Sequence, residues 1–159
     1  MRIKTSTIIT FIVCLAIPLA VGSISGIATA DAINTWYAGL AKPAFNPPGS
    51  LFGPVWTLLY LLMGISLFLI WRAPRGTART RALWIFAIQL VLNFAWSFLF
   101  FSFHQTGWAF AEIILIWIAV LTMILLFTRV NKTAALLQIP YILWVSFASV
   151  LNGTVWWIN

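Results

Sequence analysis

The sequence has 159 residues, of which 63% are hydrophobic and only 7% are charged, and its mean hydropathy is +1.04. So few polar side chains cannot cover a soluble domain of this size, and we therefore expect an integral membrane protein. The net charge of +7 comes from scattered basic residues rather than from a long basic run, so no nucleic-acid partner is expected. The single cysteine, Cys14, excludes an intrachain disulfide.

Five stretches are long and apolar enough to cross about 30 Å of hydrocarbon as helices. They predict an all-α fold, a bundle of five transmembrane helices in one domain over residues 1–159. The predicted spans are approximately residues 8–30, 54–71, 82–103, 108–128 and 134–158. The only long connection is the loop of residues 31–53, which follows the first span.

The first span also has features of a secretory signal, because Arg2 and Lys4 precede its apolar residues and Ala28-Thr29-Ala30 imitates a cleavage site. Its uncharged run is longer than the roughly 7 to 15 apolar residues of a signal, so we expect a retained helix. Gly22 and Gly26, four residues apart, predict a face that packs closely against another helix.

Prolines and a threonine mark the ends of two other spans. Pro54 predicts the first turn of the second helix, where its missing N–H is not needed, and Thr133 predicts an N-cap for the fifth. Pro140 either kinks the fifth helix or begins its regular part.

The distribution of charge predicts how the chain is oriented. Five spans place the N-terminus, the second-to-third connection and the fourth-to-fifth connection on one side of the membrane. That side holds eight of the nine cations, and only Lys42 falls on the other. Because basic residues accumulate in cytoplasmic connections, we expect a cytoplasmic N-terminus and an external C-terminus. The eight cations are Arg2, Lys4, Arg72, Arg75, Arg79, Arg81, Arg129 and Lys132.

Three spans carry stripes of aromatic, amide or small side chains at helical spacing. The stripes are Trp56, Tyr60 and Met63; Gln89, Asn93 and Trp96; and Trp144, Ala148 and Leu151. Such stripes can face one another across the interior of a bundle. The alternative, which the residues alone favour, is that Gln89 and Asn93 only join helices by hydrogen bonds.

The ten tryptophans divide by position. Those at predicted helix ends suit the membrane interface, whereas Trp56 and Trp144 share stripes and are better pocket candidates. The interfacial candidates are Trp36, Trp71, Trp108, Trp156 and Trp157.

Few other residues could carry chemistry. Glu112 is the only acid in a predicted span, and its place about one turn from the start favours a solvated helix end over a proton carrier. His104 has no partner at metal-ligand spacing, so we expect a solvated loop residue and no metal site. No phosphate loop, nucleophile–base pair or carboxylate pair is present, so conventional hydrolytic or nucleotide chemistry is not expected.

Several short motifs resemble those of one membrane-protein family and extend over almost the whole chain. They include Trp36-Tyr37, Lys42-Pro43, Pro47-Pro48, Gly53-Pro54-Val55-Trp56, Tyr60, Gln89-Leu90, Leu92-Asn93, Trp96, Pro140-Tyr141, Trp144, Phe147-Ala148 and Leu151-Asn152. In this order and spacing, the sequence resembles the translocator protein family, also called tryptophan-rich sensory proteins and formerly peripheral benzodiazepine receptors.

This resemblance implies a five-helix bundle, commonly a homodimer, with a ligand cavity covered by the first loop. It also implies binding of tetrapyrroles such as protoporphyrin IX and of isoquinoline and benzodiazepine ligands, with no required cofactor. The binding residues implied by motif position are Trp36, Tyr37, Pro47, Trp56, Tyr60, Asn93, Trp144, Ala148 and Leu151.

Two family features are absent. Residues 151–159 lack the Tyr and following Lys or Arg of the sterol-recognition pattern, which lowers the expectation of sterol binding. Trp84 and Ile88 occupy the places of the glycine motif associated with family dimers.

The resemblance leaves three functions open. The first is a tetrapyrrole receptor or sensor in a bacterial cell membrane that regulates porphyrin metabolism or stress responses. The second is a light- and oxygen-dependent enzyme that degrades porphyrin, with Trp56 and Trp144 as catalytic residues. The third is a porphyrin or sterol transporter, although the sequence shows no clear inverted repeat.

Overall fold

The computed structural model describes residues 5–159, which form helices joined by short connections and contain no strand. The helices are α1 (Thr5–Asn34), α2 (Trp36–Gly39), α3 (Gly49–Arg72), α4 (Thr77–Ser97), α5 (Thr106–Thr128), α6 (Lys132–Leu136) and α7 (Ile139–Ile158). A π-helical turn, Phe98–Ser102, continues α4. The all-α fold class is therefore confirmed.

Five helical stretches are long and apolar enough to span a bilayer: α1, α3, α4 with its π-helical turn, α5, and α6 with α7. The shortest of them, α5, has 23 residues. At about 1.5 Å per residue it is longer than the roughly 30 Å of hydrocarbon that it must cross. The prediction of five transmembrane helices is confirmed, and the chain is an integral, multi-pass membrane protein.

The predicted start of the second span is wrong, because α3 begins at Gly49 and Pro54 lies inside the helix. The backbone N–H of Leu51 donates to the carbonyl of Pro48, so the first turn is formed before Pro54 is reached. At this position proline cannot donate to the carbonyl of Ser50, and its ring crowds that carbonyl, so the second turn of α3 lacks one hydrogen bond. The predicted loop 31–53 is accordingly shorter and contains α2.

The fifth span is interrupted near its start. Asn131, not Thr133, caps α6, since its side chain accepts from the N–H of Ala134 at 3.0 Å. The cap prediction is therefore wrong. The helix breaks between α6 and α7, and Pro140 lies in the first turn of α7. Of the two roles expected for this proline, it begins the regular part of the helix.

The glycine pair in α1 has two different environments. A Cβ at Gly22 would overlap the ring of Tyr60, so Gly22 makes the close approach that was predicted. A Cβ at Gly26 would meet nothing within 4 Å, so the close contact predicted for Gly26 is wrong. The backbones of α1 and α3 approach closely at Gly64, where a Cβ would lie 2.7 Å from the Cα of Leu15.

The two ends of the bundle differ in how α3 packs. At one end α3 contacts α6, and the hydroxyl of Ser66 donates to the carbonyl of Ala134 at 3.0 Å. The amide of Gln138 donates to Ser66 at 2.7 Å. We call this end, from Met63 to Ile70 of α3, the closed half. Toward the other end α3 and α7 separate around a cavity, and we call this end, from Phe52 to Tyr60 of α3, the open half.

A segment that we call the lid, residues 35–48, covers the open half and includes α2. Its aromatic side chains pack on a separate apolar cluster that contains Phe100, Leu151 and Val155. The lid therefore rests on the π-helical turn and on the last turns of α7.

Candidate functional site

The cavity of the open half has a volume of about 640 Å³ and is bordered by all five spans and by the lid. Its walls are mainly aromatic and aliphatic side chains, with a few hydroxyl and amide groups. Ligand sites are commonly of this kind, about 300 to 1,000 Å³ in volume and mostly apolar with a few oriented polar groups.

Eight of the nine residues expected to bind ligand lie around this cavity. They are Tyr37, Pro47, Trp56, Tyr60, Asn93, Trp144, Ala148 and Leu151. Members of all three stripes, from α3, α4 and α7, therefore border one cavity. Ligand binding by these residues stays a prediction, which their common location makes testable.

Trp36, the ninth residue, does not border the cavity. Its ring stacks on that of His104 at a centroid distance of 4.1 Å and meets the edge of Phe100 at 5.7 Å. His104 is exposed, as expected, but it also has a φ of 56°, the left-handed conformation that often ends a helix. This stack fixes the start of the lid against the end of the π-helical turn.

The two pocket tryptophans lie on different walls. Trp56 of α3 stacks on Tyr60 with ring centroids 5.5 Å apart and an interplanar angle of 28°. Trp144 of α7 meets the edge of Phe52 at 5.8 Å. The indole N–H of Trp144 is buried and has no hydrogen-bond partner within the described residues. Because indole N–H groups usually find a partner when buried, this donor is unusual.

A chain of hydrogen bonds forms the floor between the two halves. Tyr60 donates its hydroxyl to the amide oxygen of Asn93 at 2.7 Å, and the amide nitrogen of Asn93 donates to Tyr141 at 3.2 Å. Tyr141 in turn donates to Gln89 at 3.0 Å. Both alternatives for the third-span amides therefore hold in part: Gln89 joins helices, whereas Asn93 joins helices and also borders the cavity.

Sequence reasoning missed the parts of the wall that come from α1 and from the π-helical turn. Gly26 and Thr29 of α1 border the cavity, as do Phe100 and Phe101. The contribution of α1 could have been predicted from its run of small residues at positions 22–30, because small side chains leave space beside the helix. The π-helical turn has no comparable signal, because its residues are ordinary membrane aromatics.

Polar contacts join the two arms of the lid to each other and its middle to α7. Tyr37 donates its hydroxyl to Asn46 at 3.0 Å within the lid, and burial raises the pKa of Tyr37, so this donor stays protonated at neutral pH. The side chain of Asn159 both accepts from the N–H of Ala41 and donates to its carbonyl, each at 3.0 Å. The lid is thus attached to the end of α7.

Glu112 lies outside the cavity wall, on α5. The expectation of a solvated carboxylate is wrong for one of its oxygens, since Oε2 is buried and has no hydrogen-bond partner in residues 5–159. Although Glu112 lies near the start of α5, it is not close enough to the helix end for both carboxylate oxygens to reach water.

These features define a class: a multi-pass membrane protein with an aromatic cavity that is bordered on one side by a lid. A family model described as the TspO/MBR family matches residues 14–158. The chain belongs to this family. The resemblance that its motifs indicated is therefore confirmed over nearly its whole length.

The chain is also similar to individual members of this family along most of its length. The chain is 39% identical over 156 residues to "Tryptophan-rich protein TspO" of Chlorobaculum tepidum, covering 96% of this chain and 97% of that protein. It is 43% identical over 142 residues to the protein of the same name from Archaeoglobus fulgidus, with coverage of 89% and 91%. It is 38% identical over 123 residues to human "Translocator protein", with coverage of 76% and 73%. Family membership supports a role as a membrane sensor or receptor.

Proposed function

We propose that this protein is a membrane receptor that binds a tetrapyrrole, such as protoporphyrin IX, in the cavity of the open half. In this role it regulates porphyrin metabolism or a stress response. The observation that carries the proposal is the pair of indole rings, Trp56 and Trp144, on two walls of one lidded cavity. Flat aromatic ligands gain free energy from offset or edge contacts with such rings.

The size and polarity of the cavity support the same ligand class. Its volume of about 640 Å³ lies in the middle of the range for ligand sites. Its floor offers the amide of Asn93 and the hydroxyl of Tyr60 beside otherwise apolar walls. A large flat ligand with an apolar body and polar edges fits this distribution better than a small polar metabolite.

A titration tests the proposal directly. Purified protein in detergent is titrated with protoporphyrin IX while the quenching of tryptophan fluorescence is followed. We expect saturable quenching at one ligand per chain, because Trp56 and Trp144 lie in the wall. Quenching that rises without saturation, as for partition into micelles, would contradict the proposal.

A second function, light- and oxygen-dependent porphyrin degradation, uses the same site. The observation that favours it is that Trp56 and Trp144, whose indoles are the most readily oxidised side chains in the wall, both border the cavity. The buried N–H of Trp144 has no partner in residues 5–159 and can donate to a bound ligand. Trp56 and Trp144 would be the oxidisable groups next to an excited porphyrin.

Replacing both Trp56 and Trp144 with Phe separates this function from binding. Phenylalanine keeps much of the aromatic contact area, so we expect binding to persist while light-dependent loss of porphyrin falls sharply. Product is followed by mass spectrometry at matched ligand occupancy. Equal turnover in the variant and the wild type would exclude a catalytic role for the two indoles.

We also propose a bacterial cell membrane with the closed half facing the cytoplasm. In the described residues, six cations lie at the closed end, in or beside the connections α3–α4 and α5–α6, and Lys42 lies at the open end. Reporter fusions to the C-terminus test this orientation, and we expect external activity. Cytoplasmic reporter activity would contradict the orientation.

A further inference from the structure

We propose that Lys42 binds a carboxylate of the ligand at the rim of the cavity, so that the site selects flat aromatic acids over their neutral esters. The inference deepens the proposed function and rests on it. In this arrangement the carboxylate edge of the ligand contacts the lid, and the apolar body of the ligand occupies the cavity.

The distribution of charge is the first observation. Lys42 is the only charged residue among those of the described chain that border the cavity. The other described cations lie in or beside the α3–α4 and α5–α6 connections at the closed end. An anionic group that enters the open half therefore meets one full positive charge, which is carried by the lid.

The hydrogen bonds of Lys42 are the second observation. Its ammonium donates to the carbonyls of Ala38 and Leu40, at 3.0 and 3.2 Å, and lies 4.9 Å from the ring centroid of Tyr37. Both hydrogen-bond partners are neutral backbone carbonyls. An ammonium has three N–H donors, so one donor and the net charge remain for an acceptor from outside the chain.

The surroundings strengthen such a contact. Lys42 is partly buried, and the walls below it are apolar, so a carboxylate here is less screened by water than on an open surface. Hydrogen bonds to charged groups are stronger than those between neutral groups. The two backbone contacts also hold the ammonium at the rim, which reduces the conformational entropy lost when the ligand binds.

A charge-removal experiment with two ligands tests the inference. Lys42→Gln keeps a side-chain N–H donor for the lid carbonyls but removes the charge, and Lys42→Arg keeps the charge. Each protein is titrated with protoporphyrin IX, whose two carboxylates are free, and with its dimethyl ester, in which both are masked. Tryptophan quenching is measured at low and high ionic strength.

We expect Lys42→Gln to weaken binding of the free acid by about tenfold and to leave the affinity for the ester unchanged. Lys42→Arg should retain the preference for the acid, and high salt should reduce this preference in the wild type. If Lys42→Gln lowered the affinities for the acid and the ester equally, Lys42 would only hold the lid together. That result would overturn this inference but not the proposed function. An unchanged affinity for the acid would overturn it as well. If the wild type binds neither ligand saturably, both the inference and the proposed function are overturned.

Discussion

The closed and open halves of the bundle are built from the same long helices but differ in what fills the space between them. In the closed half the side chains of Met63, Ile70 and Phe127 are each 0% exposed, so the helices meet through a packed core. In the open half α3 and α7 are separated by a cavity of about 640 Å³. The same helices are therefore tightly packed over one part of their length and separated over another, depending on the side chains at each level.

Two features of the sequence produce this difference. Gly64 lets α3 approach the backbone of α1 in the closed half, and the break before α7 brings α6 against α3. In the open half the bulky rings of Trp56 and Trp144 stand where a tight helix contact would otherwise form. Residues of the lid border the same cavity, so its outer end is lined by this segment rather than by a tight helix contact.

The largest effect is expected from an alanine substitution in the closed half, compared with a matched substitution at a glycine that has space beside it. A Cβ at Gly64 would lie 2.7 Å from the Cα of Leu15, so Gly64→Ala forces α1 and α3 apart. We expect a loss of about 2 kcal/mol in the free energy of unfolding in detergent. Gly26→Ala, where a Cβ meets nothing within 4 Å, should be neutral or stabilise by up to about 1 kcal/mol. Similar unfolding midpoints for the two variants would refute the assignment of the closed half.

A phenylalanine in the open half should change binding rather than stability. Ala148 borders the cavity one turn beyond Trp144, so Ala148→Phe fills space that a ligand needs. We expect protoporphyrin affinity to fall about tenfold or more, with the unfolding midpoint nearly unchanged. The control is Val150→Phe, because Val150 is 60% exposed on the same helix. Unchanged affinity in Ala148→Phe would place the ligand elsewhere.

The smallest effect is expected at the attachment of the lid to α7. Asn159→Ala removes both the acceptor for the N–H of Ala41 and the donor to its carbonyl. Because the remaining lid contacts are intact, we expect the ligand dissociation rate to rise only about two- to fivefold, measured by stopped-flow fluorescence. Asn159→Asp, which sets a carboxylate oxygen against the carbonyl of Ala41, should have the larger effect. A dissociation rate that neither substitution changes would show that the lid is held by its aromatic contacts alone.

Much of the fold follows from hydropathy and helical periodicity, which are local properties of the chain. The five spans, the stripes on α3, α4 and α7, and the place of Pro140 in the first turn of α7 are of this kind. The ends of the helices were harder to predict, because hydropathy marks where the membrane begins, whereas a helix begins where its backbone hydrogen bonds begin. The start of α3 at Gly49 lies in such a polar, proline-rich stretch.

The parts of the site that could not be predicted depend on contacts between distant residues. The pairing of Asn159 with Ala41 joins positions 118 residues apart, and neither residue has an unusual neighbourhood in the sequence. The π-helical turn and the stacking of Trp36 on His104 depend on how the helix ends pack. The homodimer stays a prediction, and Trp84 and Ile88 are exposed on α4, where either lipid or a second copy could cover them.

A structure of the protein with bound protoporphyrin IX tests the central claim most directly, because it discriminates between two apolar recesses that residues 5–159 form. One is the lidded cavity, and the other is an outer groove beside Phe110, Gly153 and Trp156 between α5 and α7. We predict density for the tetrapyrrole between Trp56 and Trp144, with a carboxylate beside Lys42. Ligand density in the outer groove, with the lidded cavity left without it, would contradict the account.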